Sequence, residues 1–273
     1  MSSRDFYYLC VSEIYKVMLL ILDIGNSNIV GCIYQPATDG QPENYLEVMR
    51  VKTADKLTYT DCLIDMNYNL SEYFDKVSAI VLSSVVPNLN KYYIQLCHEL
   101  FNIEPYIINY KLYNRLPLSI PQPHIIGSDL VANAIAGYCK APDGCVIVDF
   151  GTVLTFTTVC DKAIKGVTFV PGVKTAIDVL FEKTAQLPKI KIDPPSSVIG
   201  LNTCAAVNSG VFYGYGGLVD RIVEKINEEV GSELKMFATG GMGALIMPYC
   251  KTNFDYDIHL TVSGMRMIYD LTK

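Results

Sequence analysis

The sequence contains no tryptophan and only three histidines, His98, His124 and His259, too far apart for an HxxxH ligand pair or a local triad. Nine cysteines are scattered along it without a CxxC pair, which removes a zinc ribbon and a thioredoxin-like motif. An odd count, in apolar company such as Gly144-Cys145-Val146-Ile147-Val148, suits buried reduced thiols better than a disulfide framework. The longest apolar run, Val17 to Leu22, is far short of the roughly 20 residues that cross a bilayer. The first 17 residues carry Asp5 and Glu13 and have no continuous apolar stretch, unlike a signal peptide. No GxxxxGK[ST] occurs and no GxGxxG follows a strand, so neither a P-loop nor a dinucleotide fingerprint is present. Acidic residues outnumber basic ones by 28 to 22, leaving a net charge of -6 and no basic field for a phosphate backbone. These absences predict a soluble cytoplasmic protein that binds neither nucleic acid nor membrane.

What is present is a 273-residue chain, half of it hydrophobic and 18% charged, long enough for about two domains. Met18-Leu19-Leu20-Ile21-Leu22 is an apolar run of strand length, closed by Asp23-Ile24-Gly25-Asn26-Ser27-Asn28 and resumed as Ile29-Val30-Gly31-Cys32-Ile33-Tyr34. This reads as a β-hairpin whose turn begins with a carboxylate. The pattern returns 126 residues later as Cys145 to Val148, then Asp149-Phe150-Gly151-Thr152, then Leu154 to Val159. A single Asp-x-Gly turn carries little information, because these are common turn residues. Two copies, separated by almost half the chain, predict two related halves. Strands at Val77 to Leu82 and Lys235 to Ala238 alternate with helices at Asn90 to Phe101, Leu130 to Gly137, Ala176 to Leu187 and Ala205 to Glu229, an α/β arrangement.

Small residues in such turns let backbone N–H groups approach phosphate oxygens, and Asn26, Ser27 and Thr152 add donors. Asp23 and Asp149 at the strand ends then suit a hydrated Mg²⁺ or another hard cation against a polyphosphate. Two ordinary hairpin turns remain the plainer alternative. Thr239-Gly240-Gly241-Met242-Gly243 fits either an approach to adenine or ribose or a simple strand-to-helix connection. Asp129, opening a helix after Gly127-Ser128, is either a cap or a base that takes a proton from an alcohol.

Taken in order, these pieces resemble the type III pantothenate kinases of the actin, heat-shock chaperone and sugar kinase superfamily. The resemblance runs through MLLILDIGNSNIVGCI from Met18, Ser83-Ser84-Val85-Val86-Pro87, Gly127-Ser128-Asp129, Asp149-Phe150-Gly151-Thr152 and Pro171-Gly172-Val173. It continues through LFEKTAQLP from Leu180, Asn202-Thr203, Ser209 to Gly214, Thr239-Gly240-Gly241 and Gly264-Met265-Arg266. It implies a duplicated ribonuclease-H-like fold with an interdomain nucleotide cleft, a homodimer, and ATP-dependent phosphorylation of pantothenate, the first step to coenzyme A. The expected division is an extension over 1–17, one half over 18–115 and another over 116–273. Carried over residue by residue, the resemblance assigns ATP to Asp23, Ile24, Gly25, Asn26, Ser27, Asn28, Ile29, Val30 and Thr152, with Mg²⁺ accompanying the nucleotide. It assigns a monovalent cation (K⁺ or NH₄⁺) to Asp149, the general base to Asp129, and pantothenate to Gly127, Ser128, Asp129, Leu130 and Thr203.

The chain departs from the family pattern on the acceptor side. Leu130 stands where the family has an arginine that grips the pantothenate carboxylate, and Ile120 where it commonly has a tyrosine. Val153-Leu154 replaces a small residue followed by threonine. Three readings fit: a working pantothenate kinase, a kinase of another alcohol, or a nucleotide-binding regulator without turnover.

Overall fold

The computed structural model describes residues 18–38, 41–54, 56–183 and 190–273. Expectations placed on residues 1–17, and on the 184–188 part of the LFEKTAQLP segment, lie outside these. The first apolar run forms β1 (Leu19–Ile24), and the run after the turn forms β2 (Asn28–Gln35), antiparallel to it. β3 (Asn44–Lys52) extends this hairpin, while β4 (Ala79–Ser84) and β5 (Tyr106–Ile107) add parallel strands on the other side. The order is β3-β2-β1-β4-β5.

The second sheet is built from β6 (Gly144–Phe150), β7 (Val153–Cys160), β8 (Ala163–Pro171), β9 (Lys235–Thr239) and β10 (Asp255–Tyr256). Its order, β8-β7-β6-β9-β10, repeats that of the first, with the same antiparallel and parallel pairings. Each outer antiparallel pair even carries one register shift, at Gly31/Cys32 and at Thr158/Val159. The central strands β1, β4 and β6 are continuous apolar runs because both of their faces are covered.

Seven α-helices complete the described chain: α1 (Tyr59–Leu70), α2 (Pro87–Phe101), α3 (Ser128–Lys140), α4 (Val173–Lys183), α5 (Thr203–Val230), α6 (Gly243–Ile246) and α7 (Leu260–Thr272). Thr58 and Asp61 form a capping box at the start of α1. α2 begins at Pro87, earlier than the apolar spacing from Asn90 suggests, because proline fits the first helical turn. Asn202 caps α5 by accepting from Ala205 N at 2.9 Å, and Gly231, at φ 78°, ends it. In the first unit, Leu20, Leu22 and Ile24 of β1 pack with Met66 of α1 and Tyr93 of α2. In the second, Val146, Val148 and Phe150 of β6 pack with Ile177 of α4 and Phe212 of α5.

The chain divides into two compact units, one running to Lys140 and including His259–Lys273, the other Ala141–Ile258. This differs from the expected boundary between 115 and 116. The reason is the pairing of α3 with α7, where Gly264 lies so close to Ala132 that a Cβ would meet its carbonyl oxygen at 2.0 Å. Thr261 Oγ1 donates to Asn133 Oδ1 at 2.8 Å, and Tyr106 OH to the Thr272 carbonyl at 2.9 Å. These contacts tie both 116–140 and the C-terminal helix to the first unit.

Candidate active site

In the first unit, Asp23 is the penultimate residue of β1, in register with Val30 on β2 and Ser83 on β4. The following turn is held by internal bonds: Gly25 N donates to Asn28 O at 3.0 Å, Thr53 Oγ1 to Gly25 O at 2.7 Å, and Thr53 N to Ser27 O at 3.0 Å. Three carbonyl acceptors that would repel an anion are thereby engaged, and Asn26 stands exposed at the tip. Ile24 and Ile29, expected to lie along the nucleotide, are fully buried core residues, so only their backbone is available to a ligand. Arg50, in register with Val30, has its pKa raised mainly by Glu47, with a further contribution from the Asp23 charge. A cleft of about 610 Å³ opens beside this turn, lined by Asn26, Thr53, Leu57, Asn88 and Lys91 among others. That volume lies within the range of small-molecule sites.

Ser83 Oγ lies 2.7 Å from Ser128 Oγ in a buried contact, which joins the Asp23 row of the sheet to the start of α3. Asp129 follows. The first intrahelical bond of α3 runs from Val131 N to Gly127 O, so Asp129 is the second helical residue and not the cap. Its carboxylate accepts from Leu130 N at 2.9 Å. Burial pushes the carboxyl above the ordinary carboxylate range, and the backbone amides of Leu130 and Asp129 pull it part of the way back. Gly127 leaves the room it occupies, because a Cβ there would meet Asp129 Oδ1 at 2.4 Å. Tyr113, buried on the preceding 3₁₀ turn, is pushed up to about 12 by desolvation, with the Asp129 charge as the second cause.

In the second unit, Asp149 is again the penultimate residue of its strand, in register with Thr155 on β7 and Thr239 on β9. Gly240, at φ 89°, approaches so closely that a Cβ would lie 2.5 Å from Asp149 Oδ1 and 2.6 Å from the Phe150 carbonyl carbon. The Gly240 turn therefore has a packing role at the end of β6. Thr152 is exposed, and its carbonyl accepts from Gly172 N at 3.0 Å and Thr175 Oγ1 at 2.8 Å. Leu154 points into the second core, which accounts for an apolar residue at that departure. Thr203 is the exposed first residue of α5.

Of the positions that depart from the family pattern, Leu130 is buried and Ile120 half-buried. His124 is exposed against the Tyr110 ring, with centroids 4.2 Å apart. Burial pushes the thiols of Cys32, Cys97 and Cys145 up to about 12, so they remain protonated packing groups. Sequence reasoning passed over Ser83, Tyr113 and Thr155. The hydroxyls ending the apolar run of β4 were a signal for Ser83; the other two had none.

Two sheets of identical order, each with an aspartate before its first turn, place the chain in the actin-like ATPase and sugar kinase fold class. Among solved structures, it is similar to MreB 5 of Spiroplasma citri bound to AMPPNP, with TM-score 0.52, 10% identity, and coverage of 93% of this chain and 96% of that one. It is equally similar to the ethanolamine utilization protein EutJ of Carboxydothermus hydrogenoformans, with TM-score 0.52, 12% identity, and coverage of 96% and 92%. Such distant likenesses speak to the fold alone. The family model for type III pantothenate kinase matches residues 19–225. Curated type III pantothenate kinases of Citrifermentans bemidjiense and Geobacter sulfurreducens are each 36% identical, over 94% of this chain and 100% of theirs. One from Exiguobacterium is 35% identical over 93% of this chain and 98% of its own. The chain belongs to the type III pantothenate kinase family.

Proposed function

We propose that this protein transfers the γ-phosphoryl group of ATP to the primary hydroxyl of pantothenate, with Asp129 as general base. The observation that carries the assignment is family identity extending over nearly the whole chain. Each Asp-turn hairpin by itself suits phosphate: we assign to ATP Asp23, Gly25, Asn26, Ser27 and Asn28, with the Ile24, Ile29 and Val30 backbone, in the first unit, and Thr152 in the second. Phosphoryl transfer requires positioning and charge stabilisation more than covalent chemistry, which matches turns rich in amides and hydroxyls. As the substrate oxygen bonds to the γ-phosphorus and the bond from that phosphorus to the bridging oxygen breaks, releasing ADP, the Asp129 carboxylate takes the hydroxyl proton. A raised pKa makes it a better base than an exposed aspartate. Gly127, Ser128 and Leu130 present the start of α3 to pantothenate, and family roles add Thr203.

Mg²⁺ accompanying the nucleotide would supply neutralisation of the charge that develops during transfer, and Asp23, at the end of β1, is the residue that would hold it through its waters. At Asp149 the donor set is one carboxylate flanked by two threonines. The Thr155 hydroxyl is buried and without a hydrogen-bond partner, which fits a monovalent cation such as K⁺ or NH₄⁺. The working unit is a homodimer in the cytoplasm; no helix of the described residues is long and apolar enough to cross a membrane.

ADP release measured with and without pantothenate tests the assignment. Pantothenate-dependent release is expected, and Asp129→Asn should lower turnover by roughly 10²- to 10⁴-fold while ATP still binds. One observation favours a second reading, a nucleotide-binding regulator without turnover: Leu130 is buried where the family pattern has a carboxylate-gripping arginine. ATP binding without pantothenate-dependent ADP release would decide for it.

A further inference from the structure

Because the two sheets repeat one order, the two strand-end aspartates can be compared position by position. Asp23 has apolar Val30 beside it on β2 and cationic Arg50 one strand further, on β3. Asp149 has Thr155 beside it on β7 and Phe169 one strand further, on β8. On the parallel side the neighbours are Ser83 and Thr239, a hydroxyl in each case. The first row thus contains its own positive charge. The second contains none, and holds instead one hydroxyl more.

Directly paired residues on adjacent strands project to the same face of a sheet, so the Thr155 and Asp149 side chains share a face. Thr155 is 8% exposed, and its Oγ1 is buried with no hydrogen-bond partner. A buried hydroxyl left unpaired is unfavourable and calls for an explanation such as a bound ion or water. We propose that Thr155 Oγ1 is a direct ligand of the monovalent cation held at Asp149, with the Thr239 side flanking the same position. This rests on the cation reading given above for Asp149 and adds Thr155 to it. Two oxygens that share a cation lie on either side of it and do not hydrogen-bond to each other. One carboxylate with neutral oxygens carries too little charge to strip water from a divalent ion, and suits a singly charged one. Thr157, two residues along β7, is also buried with an unpaired hydroxyl, but it stands opposite Ile147. It is the internal control.

The experiment is a melting-temperature titration of the full chain with KCl, total ionic strength being held constant with N-methylglucamine chloride. A ligand that binds only the folded state raises Tm with its concentration. Wild type should show a saturable K⁺-specific rise, Asp149→Asn should lose it, and Thr155→Val should need at least tenfold more K⁺ to reach its midpoint. Thr155→Ser should restore the wild-type midpoint, and Thr157→Val should keep it. Without K⁺, Thr155→Val should melt no lower than wild type, since it removes an unpaired hydroxyl; with K⁺ the order should reverse. Thr155→Ala serves the same comparison if the valine variant does not fold. A wild-type midpoint in the Thr155 variants, with the response lost in Asp149→Asn, overturns the proposal and leaves the cation reading standing. No K⁺-specific rise in wild type, or a wild-type response in Asp149→Asn, overturns both.

Discussion

Replacing Gly127 by alanine puts a methyl carbon 2.4 Å from Asp129 Oδ1, whereas ordinary contact begins at 3.4 Å. Either the carboxylate or the backbone opening α3 must move by about 1 Å. The carboxylate is the softer element, because it swings about its side-chain torsions while the backbone is fixed by the bond from Val131 N to Gly127 O. A misplacement of this size at a reacting group costs roughly 10²-fold in rate. The expected outcome is therefore a kcat about 10²-fold lower in the coupled ADP-release assay, with KM for ATP nearly unchanged. Loss of the glycine at the helix start should also lower stability, by about 1 kcal/mol, which a melting curve reads separately. Gly127 is also assigned to pantothenate, so the double variant is the discriminating measurement. In an Asp129→Asn background the alanine should cost little more, because both changes disable the same carboxylate. Full turnover in Gly127→Ala would refute the reasoning, as would two losses that multiply independently.

Four further outcomes follow from the structure. If Asp129 is the base proposed above, it must be ionised to act, so kcat/KM should fall on acidification through a limb above the ordinary carboxylate range, because burial raises its pKa; a limb at or below about pH 4 would contradict this. A raised pKa also means that the folded state favours the protonated carboxyl, so the stability from this group is present in acid and lost as pH rises through that pKa. Asp129→Asn should therefore melt above wild type at neutral pH, with the difference vanishing as pH falls toward about 4. Leu130→Arg places a guanidinium at a buried position; it should lower Tm without ligand and lower KM for pantothenate about tenfold through charge-assisted hydrogen bonds, and an increased KM would show a pocket rebuilt around leucine. Gly240→Ala combines a left-handed backbone with contacts of 2.5 and 2.6 Å and should destabilise by about 2–4 kcal/mol in urea, whereas Gly241→Ala, with open space around its position, should change little.

By itself the sequence determined both hairpins, the duplication and the family, because these are written in contiguous residues. Apolar runs the length of a strand, interrupted by Asp-x-Gly turns, dictate local strand-turn-strand structure, and order along the chain is enough to reveal a repeat. It also singled out Asp23, Asp129 and Asp149, whose residue type and place beside small residues are local signals. Tertiary structure decided what depends on partners distant in sequence. The contact of Ser83 with Ser128 spans 45 positions, and the pairing of α3 with α7 sets the unit boundary at Lys140 instead of near 115. Asp129 offered two roles in the sequence because a cap and a buried base share one composition. The bond from Val131 to Gly127 removes the cap, and burial raises the carboxyl; the base role is the reading proposed for it. Thr155 was invisible for a similar reason: a threonine in a strand is ordinary, and only the register that sets it beside Asp149, with its hydroxyl buried and unpaired, distinguishes it from the other threonines of that strand.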